Sequence, residues 1–392
     1  MSPVDTTIPR RPGRPRVALV TRHWGEGAEE QAALARLVGG ALARRAEVSV
    51  VHLTETEPRP DEHLVADSVF ALHRVVVHGA DGLRGGIVRA ALGASGALAP
   101  ARSGAPLLER LGGAADTAAA VIARVSPDAV VLIGHDQPYD LAAACGAVRG
   151  SGPRVTLVPL LGEDPPAAVP GLAALLARAD AVASAHPGES RVLSALHPAV
   201  VPLDLALPMN RAAVRHRLFG VRWFGRYVVM LRGFPAGRPR HPRSISHELM
   251  RRVLGHVSVA EVDDRRWRIT DGKNILVLPV NPTRVNLWRL MEHALMTIDL
   301  RPASPLGRET LESLLLGTPV VVPDASAAME HARAADGGLW YRDLGECFDA
   351  ARTLLDRPLR ERLAGQAETY ALAHHGDMGD FVERCTAIVL GR

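Results

Sequence analysis

At 392 residues the chain exceeds what one hydrophobic core usually serves, so two domains of roughly 200 residues are expected. Its 47% hydrophobic and 22% charged residues fit a soluble globular protein. No apolar run approaches the roughly 20 residues that span a bilayer, and the N-terminus lacks the hydrophobic stretch of a signal peptide. Cys145, Cys347 and Cys385 lie far apart, which argues against a disulfide framework or a zinc site. A cytoplasmic protein is therefore predicted.

Residues 1–15 form a basic arm in which arginines alternate with prolines, and they supply part of the net charge of +4. This composition predicts disorder. The arm has two interpretations, a solvated tail or a contact with an anionic partner, either a membrane surface or a nucleic acid. Nucleic acid is not an expected partner, because the other basic residues are dispersed and only 4% of the residues are aromatic.

Beyond the arm, short apolar runs alternate with helical stretches, which is the pattern of a parallel sheet flanked by helices. In chain order, the predicted strands are Val17–Thr21, Glu47–Leu53, Val75–His78, Ala129–Gly134, Val155–Leu161 and Ala181–Ser184. Helices are predicted from about Glu29 to Arg45 and across the Ala/Gly/Leu-rich region 85–125. The Pro-rich stretch Pro198–Arg211 ends this series and is predicted to be a linker.

A second alternating series follows the linker. Its predicted strands are Tyr227–Leu231, Val257–Val262, Ile275–Val280, Met296–Leu300 and Pro319–Pro323, and helices are predicted at Leu344–Leu355 and Phe381–Val389. Two such series predict an α/β protein with two Rossmann-like, doubly wound domains, in which ligands bind at the carboxyl ends of the strands. The predicted limits are 16–205 for the N-terminal domain and 206–370 for the C-terminal domain. Residues 371–392 are predicted to form a C-terminal helix that crosses back to the first domain.

The segment 304–324, SPLGRETLESLLLGTPVVVPD, carries the most specific signal. It predicts a loop, a helix from about Glu309 and then an apolar strand. Three amide groups at the helix N-terminus are suited to cradling phosphate oxygens, those of Gly307, Arg308 and Glu309. Glu312, one turn into the helix, is placed to accept hydrogen bonds from a ribose diol. The alternative is an ordinary loop–helix–strand connection in which Gly317 caps the helix.

This segment resembles the donor-binding signature of glycosyltransferase family 4, a family of retaining enzymes that includes phosphatidylinositol mannosyltransferases and sucrose-phosphate synthases. The signature has a Glu, Pro/Ser-Phe-Gly, a second Glu eight positions after the first, and a GTPVV turn. The matching residues here are Pro305, Gly307, Glu312, Gly317, Thr318, Pro319, Val320 and Val321. The resemblance implies that Glu312 holds the donor ribose. The first glutamate, which in the family contacts the hydroxyls of the donor sugar, falls on Ser304, so the identity of the sugar stays open.

Two cations bind the donor diphosphate in the family, an arginine after the first strand of the C-terminal domain and a lysine five or six residues later. The sequence YVVMLRGFPAGR places Arg232 and Arg238 six residues apart. The resemblance implies that both guanidinium groups stabilise the departing diphosphate. The alternative is that Arg238 merely lies on an exposed loop.

No metal ion or other cofactor is expected, because the chain offers no convincing DxD-type motif. Asp263-Asp264 is followed by Arg265-Arg266, which indicates a solvated charged turn. His374-His375 is interpreted as a turn near the C-terminus and not as a pair of metal ligands.

The N-terminal domain carries two further likenesses to the family. AVVLIGHDQP, at residues 129–138, resembles the strand that ends in a histidine, so His135 is implied to contact the donor sugar at the reaction centre, with Asp136 orienting it. The loop WGEGAE, at residues 24–29, resembles a glycine-bearing loop whose amides approach the donor, and it makes Gly27 a candidate binding residue. A short G-x-G is weak evidence alone.

The resemblance implies a GT-B fold, with two domains facing each other across a cleft, and sugar transfer with retention of configuration. The acceptor hydroxyl would attack on the side that the nucleotide leaves, without a metal ion. The expected partners are a nucleotide-sugar donor and an acceptor, either a small molecule or a lipid-linked one. Three alternatives stay open: a catalytically degenerate relative with a regulatory or partner-binding role, an inverting transferase, and a GT-B nucleotide-sugar epimerase.

Overall fold

The structure, a computed structural model, describes residues 13–21, 24, 30–54, 71–76, 120–134, 152–161, 172–214, 221, 225–231, 245, 248–262, 267–271, 273–277, 283–301 and 306–392. Contacts divide these residues into two units. The first unit contains the described residues as far as Ala185, together with Glu189–Leu203 and Val382–Arg392. The second unit contains His186–Gly188 and Asp204–Phe381. One seven-stranded sheet forms the centre of each unit.

The first sheet is parallel throughout, as the continuous apolar runs predicted. Its strands are β1 (Arg16–Thr21), β2 (Glu47–Thr54), β3 (Ala71–Val76), β4 (Ala129–Ile133), β5 (Arg154–Val158), β6 (Ala181–Ser184) and β7 (Val200–Pro202). They lie in the order β3-β2-β1-β4-β5-β6-β7. This part of the chain contains the helices α1 (Glu30–Ala43), α2 (Leu172–Leu176) and α3 (Pro187–Ser194), and residues 120–125 are also helical. Strand β4 is buried along its whole length, as expected of a central strand covered on both faces.

The second sheet is mixed. Its strands are β8 (Tyr227–Leu231), β9 (Ser258–Val262), β10 (Trp267–Thr270), β11 (Ile275–Val277), β12 (Thr297–Asp299), β13 (Val320–Pro323) and β14 (Gly338–Tyr341). They lie in the order β11-β10-β9-β8-β12-β13-β14. The pairs that join β9, β10 and β11 are antiparallel, and the other pairs are parallel. The parallel core therefore has an antiparallel extension along one edge.

The helices that follow the linker are α4 (Arg211–Val214), α5 (Arg284–Glu292), α6 (Arg308–Leu315), α7 (Ala327–Ala334), α8 (Leu344–Thr353), α9 (Arg357–His375) and α10 (Met378–Leu390), with a π-helical turn at Met250–Leu254. Four of them begin at a side-chain cap that accepts a backbone N–H, namely Thr283, Ser326, Asp343 and Asp356. Helix α6 begins instead at Gly307, without a side-chain cap. It ends in a Schellman motif, since Gly317 donates to Leu314 and Thr318 donates to Ser313.

Several sequence predictions need correction. The predicted linker Pro198–Arg211 contains β7, which pairs at the edge of the first sheet, a position where proline is tolerated. The predicted strand Val75–His78 begins earlier in the structure, at Ala71. His374-His375 is no turn: both residues belong to the end of α9, and His375 is buried. Strands β10 and β14 were not predicted, because each is a short edge or near-edge segment of four residues.

Among the described residues, no helix combines the length and the apolar character that crossing a bilayer requires.

Candidate functional site

Helix α6 follows the point where the second sheet changes its winding direction. Strands β8 and β12 are neighbours, and Leu231 at the end of β8 pairs with Asp299 at the end of β12. From β8 the chain continues to β9 on one side, whereas from β12 it continues to β13 on the other. In open α/β sheets, ligands bind in the crevice outside the strand ends at such a switch point. The predicted cation Arg232 directly follows Leu231 in the sequence.

Gly307 fixes how α6 begins. Its φ of 58° lies in the left-handed region, where glycine carries no steric penalty. A Cβ at this position would lie 2.9 Å from the backbone nitrogen of Ala328, in the first turn of α7. Only a residue without a side chain therefore allows α6 and α7 to approach this closely. The first-turn amides of α6, including those of Arg308 and Glu309, have no intrahelical acceptor and carry the positive end of the helix dipole.

Six side chains of alternating charge continue from this helix terminus, and we name them the ionic chain. In order of contact, its members are Asp299, Arg301, Glu309, Arg284, Glu312 and Arg308. They come from β12, from the residues after it, from the first residue of α5 and from the first turns of α6. Three cations and three carboxylates balance when all are ionised.

The first half of the ionic chain anchors Glu309. Arg301 donates to both oxygens of Asp299, from Nε at 2.9 Å and from Nη2 at 2.7 Å. The same guanidinium places Nη1 2.9 Å from Oε2 of Glu309. Oε1 of Glu309 accepts a hydrogen bond from Nη1 of Arg284 at 2.5 Å. Bidentate pairing of this kind orients both partners as well as stabilising them.

The second half encloses Glu312, whose side chain is 0% exposed. Its Oε2 accepts from Nη1 of Arg284 at 3.1 Å, and its Oε1 accepts from Nε of Arg308 at 3.0 Å. Arg284 therefore contacts both Glu309 and Glu312, whereas Arg308 contacts Glu312. The carboxylate of Glu312 is held in one orientation by a cation at each oxygen.

The two glutamates differ in their proton affinity. Burial opposes the ionisation of Glu309, but the guanidinium groups of Arg301 and Arg284 hold the pKa of this carboxyl well below its ordinary value. Burial raises the pKa of Glu312, and the neighbouring Glu309 carboxylate adds to this effect, against the opposing pull of Arg284 and Arg308. Glu309 is thus the firmly ionised member of the pair.

The structure brings four of the predicted site residues together at one helix terminus, namely Gly307, Arg308, Glu309 and Glu312. The other predicted site residues lie outside the described residues, namely Gly27, His135, Arg232, Arg238 and Ser304. Asp136 and the predicted turn at residues 263–266 also lie outside them.

Sequence reasoning missed Arg284, Arg301 and Asp299. Arg284 does follow Thr283, a good helix N-cap, so the start of α5 was detectable. Its pairing with Glu309 and Glu312, more than twenty residues away, leaves no periodic signal. The prediction that Glu312 accepts from a ribose diol stays a prediction. In the structure Arg284 and Arg308 each contact this carboxylate.

No cluster of three or more His, Cys, Asp or Glu side chains suited to a metal ion occurs within the part of the chain that the structure describes.

Comparisons with known proteins show the fold. No protein-family profile matches the chain, and no curated protein sequence matches it. Among solved structures, sucrose-phosphate synthase from Thermosynechococcus elongatus is similar, with a TM-score of 0.63 and 14% identity, covering 95% of this chain and 97% of that one. Trehalose 6-phosphate synthase from Burkholderia multivorans gives a TM-score of 0.60 and 14% identity over 95% and 97% of the two chains. Anabaena HepE in complex with UDP and glucose gives 0.56 and 13% over 95% and 98%. The chain has the GT-B fold of these glycosyltransferases.

Proposed function

We propose that the protein is a glycosyltransferase that takes its sugar from a nucleotide-sugar donor and binds the donor diphosphate at the N-terminus of α6. The observation that carries this proposal is the position of that terminus. It lies beyond the switch point at Leu231 and Asp299, and Gly307 removes the side chain that would separate it from α7. Amide groups at such a terminus suit an anionic diphosphate, because the N–H groups and the helix dipole act together.

Glu312 is the proposed ribose ligand. Each carboxylate oxygen has two lone-pair sites, so an oxygen that already accepts from arginine retains capacity for a hydroxyl. A ribose diol at this carboxylate shares or replaces the contact between Oε1 and Arg308, which lies 3.0 Å away. Arg284 keeps Oε2 in place meanwhile. The HepE structure in complex with UDP and glucose supports a uridine nucleotide as the first donor to try.

The finer mechanism that we propose follows the resemblance to family 4. The acceptor hydroxyl attacks the anomeric carbon on the side from which the nucleotide leaves, the bond to the diphosphate breaks, and the departing diphosphate takes the proton. The configuration is retained. Arg232 and Arg238 neutralise the diphosphate without a metal ion, with His135 beside the sugar. The proposed acceptor is a small molecule or a lipid-linked hydroxyl, and the basic arm offers a peripheral membrane contact in the cytoplasm.

The test begins with nucleotide binding. Purified protein is titrated by calorimetry with UDP, GDP, ADP and dTDP, first with EDTA and then with magnesium, and the best nucleotide is tried as its common sugar conjugates. We expect selective binding without metal that is at least about tenfold weaker in Glu312→Gln, because the amide removes the charge that Arg284 and Arg308 face. Glu361→Gln, in an exposed pair with Arg357, is the control and leaves binding unchanged.

Product analysis then separates the alternatives. Transfer to an acceptor, or slow hydrolysis of the donor, followed by NMR of the anomeric proton, gives the stereochemistry directly. A retained configuration supports the proposal, and an inverted one overturns the retaining mechanism. Selective nucleotide binding without turnover would point to the degenerate relative, whereas binding of no nucleotide at millimolar concentration would overturn the proposed function.

A further inference from the structure

His331 contacts the chain just before α6. It lies within α7, is 1% exposed, and places Nε2 2.9 Å from the carbonyl oxygen of Leu306. A carbonyl oxygen can only accept, so the imidazole donates, and this fixes the tautomer with the proton on Nε2. Within the described part of the chain, the buried Nδ1 has no hydrogen-bond partner. An unprotonated Nδ1 is the less costly form there, since an orphaned acceptor costs less than an orphaned charge.

The imidazole of His331 is held neutral by its surroundings. Burial lowers its pKa well below the ordinary value, and the nearby rings of His375 and His186 lower the pKa further, against the opposing effect of the hydrogen bond to Leu306. The ring centroids of His375 and His186 lie 5.9 Å and 6.2 Å from that of His331. The hydrogen bond to Leu306 is therefore made by a neutral donor throughout the physiological range.

Helix α7 contacts two consecutive residues at the start of α6, Leu306 and Gly307. The backbone of Ala328 packs against Gly307, and His331, one turn further along α7, binds the carbonyl of Leu306. The residue that follows Gly307 is Arg308, the first helical residue of α6. The direction in which the first-turn amides of α6 point is thus set by contacts with α7.

We propose that His331 is a positioning residue for the donor: by holding Leu306, it keeps the first-turn amides of α6 aimed at the diphosphate. This inference rests on the proposed function, in which the diphosphate binds at that terminus. Without the hydrogen bond, Leu306 and Gly307 sample further conformations, and binding has to select the competent one. Affinity then falls by the fraction of molecules in that conformation.

The test compares the dissociation constants of UDP, or of the tightest-binding of the four nucleoside diphosphates, by calorimetry. His331→Leu removes the donor, and His331→Gln keeps a side-chain N–H. Tyr227→Phe is the matched control. The Tyr227 hydroxyl donates to the carbonyl of Leu290 at 2.8 Å. Tyr227 is as buried as His331, and it is the first residue of β8, at the other end of that strand from Leu231.

We expect His331→Leu to raise the dissociation constant about tenfold, and His331→Gln to stay within about threefold of the wild type. Tyr227→Phe should lower the melting temperature about as much as His331→Leu does, without changing the dissociation constant. If His331→Leu binds as tightly as Tyr227→Phe does, the inference is overturned while the proposed function stands. A wild type that binds no nucleotide overturns the proposed function, and the inference with it.

A second measurement uses the wild type, in case His331→Leu fails to fold. Long-range proton–nitrogen NMR of the imidazole reports which ring nitrogen carries the proton. We expect His331 to show the Nε2–H tautomer and its resonance to shift when the nucleotide is added. A resonance that does not move at saturation, or one that shows the proton on Nδ1, contradicts a positioning role.

Discussion

Nη1 of Arg284 lies 3.1 Å from Oε2 of Glu312, a carboxylate that is fully shielded from solvent. The same guanidinium also contacts Glu309, so one cation serves two buried acids. A buried carboxylate persists only where cations and donors replace the water that it has lost. Among the cations of the ionic chain, Arg284 is therefore the one that neutralises both glutamates of α6.

Removing this cation should be strongly destabilising. Arg284→Met is expected to lower the free energy of unfolding by about 3–5 kcal/mol, because it leaves Glu309 and Glu312 buried with one cation fewer. The measurement is urea denaturation at pH 7 and at pH 5. The difference in unfolding free energy between the wild type and Arg284→Met should be smaller at pH 5. A carboxyl group that has taken up a proton is neutral and no longer has to be paired with a cation.

The control for Arg284→Met is Arg342→Met. Arg342 forms an exposed pair with Glu346, so the urea midpoint should not move. Two outcomes would contradict a stabilising role of the ionic chain. One is an Arg284→Met protein as stable as the wild type, and the other is a loss of unfolding free energy that is equal at both pH values.

Gly307 and Gly255 allow backbone strain to be separated from steric contact. Both have a φ of 58°, but a Cβ on Gly255 meets nothing within 4 Å, whereas one on Gly307 meets the backbone of Ala328 at 2.9 Å. Gly255→Ala should cost only the left-handed penalty of about 1–2 kcal/mol. Gly307→Ala should cost more and also weaken nucleotide binding, because α6 has to move away from α7. Urea denaturation measures the loss of unfolding free energy, and calorimetry measures the loss of nucleotide affinity. Equal losses of unfolding free energy in the two variants would mean that α7 moves away from residue 307 without an energetic cost.

Much of the fold was predictable from local patterns. The boundaries of β6 and β8 were predicted to the residue, because each is a continuous apolar run in a parallel sheet. Edge segments were harder. Strand β7 contains a proline and was assigned to the linker, and β10 and β11 form an antiparallel extension that the alternating pattern of the domain did not suggest.

The candidate site was predictable only where a sequence motif carries it. Spacing and resemblance identified Gly307 and Glu312, since a glycine turn and a helix register are local properties. Arg284 and His331 could not be found this way, because their partners lie 25 or more residues away along the chain. Such contacts depend on how the helices pack around the sheet, and an arginine-rich composition hides individual arginines among many.

The pH dependence of stability should reveal His331. Its pKa is lowered in the folded protein, so its contribution to stability is complete above about pH 6.5 and is lost as the pH falls towards the folded pKa. His186 and His375 face it, and Glu330 and Arg333 are the charged neighbours on α7. His331→Gln keeps a donor but cannot titrate. Its unfolding free energy, measured by urea from pH 7 to pH 5, should therefore fall less steeply than that of the wild type, by up to about 1.4 kcal/mol per pH unit.

Parallel slopes for the wild type and His331→Gln would mean that His331 takes up its proton in the folded state as easily as in the unfolded one. That outcome would contradict the inference that the buried imidazole of His331 is held in its neutral form. Tyr227→Phe, which leaves His331 in place, should follow the slope of the wild type.

Glu189, in the first unit, should affect the pH dependence of stability in the opposite direction from His331. Its Oε1 accepts from the amide of Leu161 at 2.9 Å and its Oε2 from that of Ala185 at 2.6 Å, so the buried carboxylate joins the segments that follow β5 and β6. Burial raises the pKa of Glu189 against the effect of these amides. Its contribution is therefore complete below about pH 4.5 and is lost as the pH rises through the folded pKa. Glu189→Gln turns an NH2 group towards one of the two amides and should cost about 1–3 kcal/mol at pH 7.

Because the glutamine does not titrate, the difference in unfolding free energy between the wild type and Glu189→Gln should widen as the pH is lowered from 7 to 5. Urea denaturation at both pH values measures it, with Glu361→Gln as the exposed control that keeps a constant difference. A difference that narrows at pH 5 would show that the amides of Leu161 and Ala185 outweigh burial. Glu189 would then be a firmly ionised anchor for the loops at the carboxyl edge of the first sheet.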